Sequence, residues 1–363
     1  MRPNKRMINN TVLPAEWQQQ DAILITWPHS FSAWATNLAT VELSYIDLTT
    51  TLSHYQDMII QLHPSVDLDQ LLIKLTKSAA NLSKCHFVLL SSNDTWARDH
   101  GPIGVVDQGT PTLLDFTFNG WGNKFAADLD NQLNQQMANL GIVVPTTAID
   151  WVLEGGSLES DGQGTLLTTS ACLLNSNRNG KVTKAQVQQR LAACLGINRI
   201  LWLESGALEG DDTDAHIDTL ARFASVSSLI YQGCSDPLDS HYPGLNRMKA
   251  ELAAFRTLEG LPYELIELPW PSAKFAADGH RLPASYANFL ITNKLILVPT
   301  YEDPMDILAL EQIQRAFPNH FVSGINALPL IEEHGSLHCI TMQLPQGTVN
   351  FAGRFETFQG AMR

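Results

Sequence analysis

A mixed α/β fold of about five supersecondary units is what this sequence predicts. Two patterns carry the expectation. One is a recurring hairpin signature: an apolar run, a short polar turn and a second apolar run. The other is a set of helix-like stretches lying between the hairpins, each followed by a further strand-like run.

In chain order, Ala22 to Trp27 reads as a strand and precedes a helical stretch from Thr40 to Tyr55. Ile103 to Leu114 forms a hairpin around Asp107-Gln108-Gly109, and Ser157 to Thr168 a second around Asp161-Gly162. A helix over Thr183 to Leu195 comes next, then a hairpin from Leu220 to Tyr231 around Ser225 to Ser228. Phe289 to Val298 turns at Asn293-Lys294, and Asp306 to Phe317 is helical again. Successive turns stand roughly 50 to 70 residues apart, a spacing of repeated units although residue identities do not repeat. No Pro/Ser-rich tract or block of like charge divides the chain, so residues 1–363 read as a single domain.

With 363 residues, 44% hydrophobic and 17% charged, the chain can bury a large core. Its formal net charge of −14 argues against nucleic acid or an anionic membrane as partner and favours cationic ligands. Residues 1–10 carry no apolar signal core, and no run approaches the roughly 18 apolar residues of a membrane span. Five cysteines (Cys85, Cys172, Cys194, Cys234 and Cys339) lie far apart without a Cys-x-x-Cys pair. Reduced thiols in a cytoplasm follow, rather than a disulfide framework or a cysteine zinc site.

Four segments are denser in polar groups than a fold requires. In Asn93-Asp94-Thr95-Trp96-Ala97-Arg98-Asp99-His100-Gly101-Pro102, Trp96 and Asp99 could offer a cation an aromatic wall and a carboxylate. An Asp-Arg surface pair beside a buried Trp is the plainer alternative. Trp151-Val152-Leu153-Glu154-Gly155-Gly156-Ser157 ends a strand-like run on a glutamate and two glycines, which suits a carboxylate where a ligand approaches closely, or a simple strand exit.

The third segment runs from Gly210 to Phe223 and contains Asp211, Asp212, Asp214, His216 and Asp218. Its second half alternates as a strand does, which would set His216 and Asp218 on one face with Ile217 behind them. Counted from Asp212, the glycine and glutamate positions of a calcium loop hold Ile217 and Phe223, so that reading fails. A transition-metal site on His216 and Asp218 stays open, although no second histidine stands nearby at ligand spacing.

In the fourth, Cys339 sits late in an alternating run that opens at Gly335-Ser336, as at the tip of a strand. His338 would then face the opposite side. A nucleophilic Cys339 would need a proton-transfer partner from elsewhere, for which His216 is the candidate. A buried structural thiol is the alternative.

Taken together and in order, these motifs resemble the agmatine deiminase and bacterial-type peptidyl-arginine deiminase family. The resemblance rests on Trp96-Ala97-Arg98-Asp99-His100-Gly101-Pro102, Glu154-Gly155-Gly156-Ser157, Leu166-Leu167-Thr168-Thr169 with Asn177-Arg178-Asn179, Gly210 to Asp218, and His338-Cys339-Ile340-Thr341. It runs from Leu13-Pro14-Ala15-Glu16-Trp17 to Pro345.

That resemblance implies a pentein fold, a five-bladed α/β propeller with pseudo-fivefold symmetry. It also implies a hydrolytic guanidine deiminase without metal or organic cofactor, placed in putrescine and polyamine metabolism. Cys339 matches the nucleophile and His216 the general acid/base. Asp99 and Asp218 match the carboxylates that clasp the guanidinium, Glu154 the acid that pairs with guanidinium and His216, and Trp96 a pocket wall.

Agmatine enzymes commonly follow an early Trp-Pro with an Arg-x-Asp-Asn-Trp-like stretch. Here Trp27-Pro28 is followed by His29-Ser30-Phe31-Ser32-Ala33-Trp34, without acid or arginine. Recognition of an amine tail is left to Asp212, with Asp211 and Asp214 beside it. The expected partner is a small cationic guanidinium compound, and self-association is undecided. Deimination of peptidyl arginine or another alkylguanidine, a non-catalytic binding module on the same propeller (as in the translation initiation factors that share it) and a metal-dependent hydrolase are the competing readings.

Overall fold

Five of the six sheets among the described residues of the computed structural model, which are residues 11–356, obey one pairing rule. Two strands pair antiparallel, and the second of them takes a parallel partner. Ile103–Asp107 pairs with Thr110–Thr117, which takes Thr146–Val152. Glu159–Ser160 pairs with Thr165–Thr169, which takes Arg199–Leu203. Ala221–Ser225 pairs with Ser228–Gln232 and Glu264–Leu268 follows, and Leu290–Ile291 pairs with Leu295–Thr300 before Phe321–Asn326. In the fifth, Thr341–Pro345 lies antiparallel to Gln20–Thr26, which takes Asp57–Leu62 and then Cys85–Leu89 in parallel.

All four hairpins expected from sequence are present. In the first, Asp107 pairs with Thr110 across a two-residue loop, Gln108 and Gly109, both at positive φ (50° and 84°). Such a primed turn matches the twist of the strands it joins, and the glycine takes its second position without strain. The expected helices are Leu38–Ser53, Lys184–Leu195 and Asp306–Ala316. Thr183 starts the second with a capping box closed by Gln186. Helix Leu38–Ser53 buries Val41, Tyr45, Leu48 and Leu52 in the same apolar cluster as Ile23 and Ile25 of strand Gln20–Thr26, which is buried except at Asp21.

Two local expectations are corrected. His216 to Phe223 is not one strand: Ile217–Thr219 is a turn of 3-10 helix, and the strand begins at Ala221. Thr219 Oγ1 donates back to the His216 carbonyl at 3.0 Å, and Leu220 N–H to that of Ile217, so local bonds replace the ladder. Nor is Cys339 at a strand tip. Leu337 to Ile340 is a turn, stapled by Thr341 Oγ1 to the carbonyls of Leu337 and His338, and the strand starts at Thr341.

The same five sheets place the polar motifs. Asp99, Glu154, His216 with Asp218, Asn288 and Cys339 each lie a few residues before the strand that opens the antiparallel pair of their unit. Equivalent positions in five like-paired units therefore bring together groups far apart in sequence. Residues 1–10, read above as lacking a signal core, and 357–363, the end of the domain read as 1–363, lie outside the described residues. Among the described residues, no helix is long and apolar enough to cross a membrane.

Candidate active site

A cavity of about 110 Å³ opens onto Cys339. Trp96, Trp121 and Phe125 form its apolar sides, while Asp94, Asp99, Asp212 and Glu333 supply carboxylates. Among the described residues, neither lysine nor arginine lines it. A planar organic cation is the ligand such a cavity suits, since aromatic faces and carboxylates both attract it.

Behind the cavity wall the buried groups converge. Asp99 accepts from Gly156 N–H at 3.0 Å and from Trp121 Nε1–H at 2.9 Å. His216 sits with Nδ1 3.7 Å from Asp99 and Nε2 3.9 Å from Glu154, too far for hydrogen bonds, so both ring nitrogens are buried without a partner. Asp218 holds His338 Nδ1 at 2.8 Å through Oδ2 and leaves Oδ1 buried and unpaired. The Cys339 sulfur lies 3.8 Å from Asp218 Oδ2 and receives the Asn288 amide at 3.3 Å. Unpaired buried polar atoms are costly and mark where a ligand would restore the missing bonds.

Gly156 explains the double glycine. A Cβ there would stand 2.5 Å from His216 Nδ1, 2.9 Å from Asp99 Oδ1 and 3.1 Å from Asp218 Oδ2. A side chain at this position would fill the site itself.

The charges answer to one another. Burial pushes the Cys339 thiol well above its usual range, and the neighbouring Asp218 and Asp99 push it further. Burial also raises Asp99, to about 6, with Asp218 and Glu154 adding to it against the pull of His216 and Trp121. For His216 burial works against the charge, but Asp99, Cys172 and Glu154 outweigh it and raise the imidazole well above its usual range. Burial and the surrounding carboxylates thus favour a neutral thiol beside a charged imidazole. A cation placed among these carboxylates would reverse the balance at sulfur.

Of the residues singled out from sequence, Cys339, Asp99, Trp96 and Asp212 line the cavity, with His216, Asp218 and Glu154 packed at its base. Glu154 already holds a guanidinium: Arg178 Nε–H reaches both its oxygens at 2.8 and 2.9 Å. Two of the three loop aspartates are structural. Asp211 ties the loop together through Thr213 and Ala215, and Asp214 pairs with Arg178 and Lys124. Asp212 is the one whose carboxylate faces the cavity mouth, 3.7 Å from His334.

Sequence reading missed several members. Trp121 and Asn288 carried no motif, and Arg178 was quoted only as part of Asn177-Arg178-Asn179. His338, expected to point away, reaches Asp218 because the turn at Leu337 to Ile340 cancels the strand alternation. Cys172 is buried with its sulfur among the side-chain ligand atoms of Glu154 and His216, all within 4.8 Å of one another. The second metal-capable group among the described residues is Glu16, Glu159 and His338. His216 with Asp218, the pair left open for a transition metal above, belongs to neither.

The profile of the Porphyromonas-type peptidyl-arginine deiminases matches residues 12–345. An agmatine deiminase of Pseudomonas syringae pv. tomato is 30% identical over 356 residues, covering 92% of this chain and 95% of its own. A structure of the C. jejuni agmatine deiminase, a serine-for-cysteine variant with substrate bound, is 34% identical with a TM-score of 0.86, covering 95% of this chain and 99% of its own. The agmatine deiminase of Enterococcus faecalis is 28% identical with a TM-score of 0.83, covering 93% and 96%.

Proposed function

This chain belongs to the Porphyromonas-type peptidyl-arginine deiminase family, and from that premise we propose that it hydrolyses the guanidinium group of agmatine, releasing ammonia and N-carbamoylputrescine without a cofactor. The observation that carries the reading is the cavity itself: a thiol facing four carboxylates, with neither lysine nor arginine among the described lining residues.

In this mechanism Asp99 and Asp218 clasp the guanidinium nitrogens. Their negative charge, which adds to burial in keeping the thiol neutral, is then shared with the substrate, and Cys339 loses its proton. The thiolate attacks the central carbon, and His216 protonates the departing ammonia. Water, activated by the then-neutral His216, hydrolyses the amidino-cysteine to a ureido product and frees the thiol. Asp99 above all keeps the imidazole charged for the first step, and Glu154, held by Arg178, adds to it at 3.9 Å from Nε2. The like-paired sheets are read as blades of a five-bladed propeller, and five free thiols suit a reducing cytoplasm.

The acidic mouth favours a second cation over the carboxylate of free arginine. The early Trp27–Trp34 segment gives the cavity lining only Ala33, and His29 there is occupied by Ser92 and stacked on His63. The amine tail falls to Asp212, with Glu333 nearby. Ammonia release from agmatine, free arginine and a peptidyl arginine tests this. Agmatine is expected to be turned over fastest, and Asp212→Asn to raise its KM about two- to fivefold, the worth of one partly exposed ion pair. Robust release from either arginine form with none from agmatine overturns the substrate assignment.

A pH dependence follows from Asp99. Its carboxyl titrates near 6, so as pH falls through that value the clasp gains a proton and loses its charge. The kcat/KM for agmatine is expected to drop about tenfold per pH unit below that point, as one protonation removes binding. A profile flat down to about pH 4.5, well past that titration, would rule out an ionised Asp99 as the clasp.

A further inference from the structure

A second cavity, about 340 Å³ and larger than the first, shares no lining residue with it. The two come within one residue of each other, because Arg98 lines the larger and its neighbour Asp99 the smaller. Glu16, also on the wall of the larger cavity, reaches back toward the nucleophile. Its Oε1 lies 2.8 Å from His338 Nε2, and the opposite ring nitrogen, Nδ1, lies 2.8 Å from Asp218 Oδ2, itself 3.8 Å from the Cys339 sulfur.

We propose that Glu16, His338 and Asp218 form a proton relay that carries the Cys339 proton to water in the larger cavity when a cation fills the smaller one. The inference rests on the thiol mechanism above. Cys339 is 4% exposed and meets solvent through the small cavity, so a cation seated there covers the sulfur and the thiol proton needs another way out.

Carboxylates at hydrogen-bond distance on both sides of one imidazole supply it. Burial and the charges of Arg222 and Arg98 hold the His338 imidazole below its usual range, so it is neutral and the two 2.8 Å contacts share one proton, which the relay starts with on Nε2 toward Glu16, leaving Nδ1 free to accept. When the S–H bond breaks, sulfur keeps the electron pair, the proton enters at Asp218, and one leaves at Glu16. His338 takes up a proton at Nδ1 as it yields one at Nε2. Only S–H, O–H and N–H bonds change, and no other reactant is consumed.

The surroundings favour release at the Glu16 end. Burial raises the Glu16 carboxyl, but Arg222, His338 and Arg98 outweigh it and hold it well below the usual range, so a proton arriving there passes on to water. Arg98 Nη1 stands 3.1 Å from Glu16 Oε1, and Arg222 Nη2 2.5 Å from Oε2. The same Arg222 nitrogen is 3.1 Å from His338 Nε2, Arg222 Nε–H is bound by Glu159, and Arg98 Nε–H donates to the His338 carbonyl. On the Asp218 side the facing groups are Cys339, His216 and Asp99. Gln343 donates to Glu16 Oε2 at 3.0 Å and fixes it without titrating.

The test uses 2-chloroacetamidine, a small amidinium that alkylates a thiol as the thiolate forms, so no substrate tail and no hydrolysis are involved. In Glu16→Gln the maximal rate of Cys339 alkylation is expected to fall about tenfold or more with the half-saturating concentration unchanged within about twofold. The solvent deuterium isotope effect on that rate should rise, because proton exit becomes limiting; a merely structural loss would not raise it. His338→Asn, whose amide can keep the bond to Asp218 but cannot reach Glu16, should behave the same and decides the matter if Glu16→Gln does not fold. Wild-type alkylation rates in both variants, or a loss confined to half-saturation, overturn the relay while leaving the thiol mechanism standing. A wild-type protein that the amidinium does not alkylate at Cys339 removes both.

Discussion

Cys339→Ala is expected to release no measurable ammonia from agmatine, a loss of at least about 10⁴-fold, because no other group can form the covalent intermediate. Cys172 cannot stand in. It lies with His216 and Glu154 rather than in the cavity, and burial raises its thiol above the usual range. The replacement removes one sulfur from a buried turn whose backbone bonds do not involve it: Cys339 C=O still accepts from Arg98 N–H, and Asn288 still accepts from His338 N–H. Folding should therefore persist, and a thermal midpoint near that of the wild type is the control. Ammonia release by a folded Cys339→Ala protein at more than a few per cent of the wild-type rate would eliminate the mechanism.

His216→Gln is expected to lower kcat by about 10² to 10⁴-fold with KM nearly unchanged, the range for loss of a general acid/base. The side chain touches neither Asp218 nor Cys339 by a hydrogen bond, and its two nitrogens face Asp99 and Glu154 at 3.7 and 3.9 Å, so the clasp keeps its own bonds; because the imidazolium also holds Asp99 down, KM is compared at about pH 8.5, well above the Asp99 titration. The amide is near the imidazole in size, which avoids a cavity among Glu154, Arg178 and Cys172. Both halves of the reaction need the imidazole, first charged and then neutral, so the variant should slow formation and hydrolysis of the amidino-cysteine alike. Intact-protein mass during turnover reads the intermediate directly. A kcat within about threefold of the wild type, far short of a general acid/base loss, would move the proton-transfer role to another group.

Particular residues mark how far the sequence could be read. Gln108-Gly109, Thr183 with Gln186, and the unbroken apolar run Leu295 to Val298 act through neighbours a few positions away, so the four hairpins and three helices were legible. The fifth unit was not, since its antiparallel pair joins Thr341–Pro345 to Gln20–Thr26 from opposite ends of the chain. His216-Ile217-Asp218 and His338-Cys339 alternate as strands do. The hydroxyls of Thr219 and Thr341 instead bond back to carbonyls of the preceding turn and bend both segments, which no periodicity announces.

Sequence by itself determined the chemistry available: one thiol in a His-Cys motif, a histidine and four acids spread from Asp99 to Asp218, and an acidic chain suited to cationic ligands. Those types, in that order, also identified the family. Tertiary structure decided which of them meet and in what state. It turned Glu154 into a carboxylate already neutralised by Arg178, made Asp211 and Asp214 loop ties and left Asp212 at the mouth. It also set His338 between Asp218 and Glu16, residues far apart in the chain. The physical reason is that propensity and turn chemistry act over a few residues, whereas charge and proton affinity depend on whatever lies within a few ångströms once five sheets have folded together.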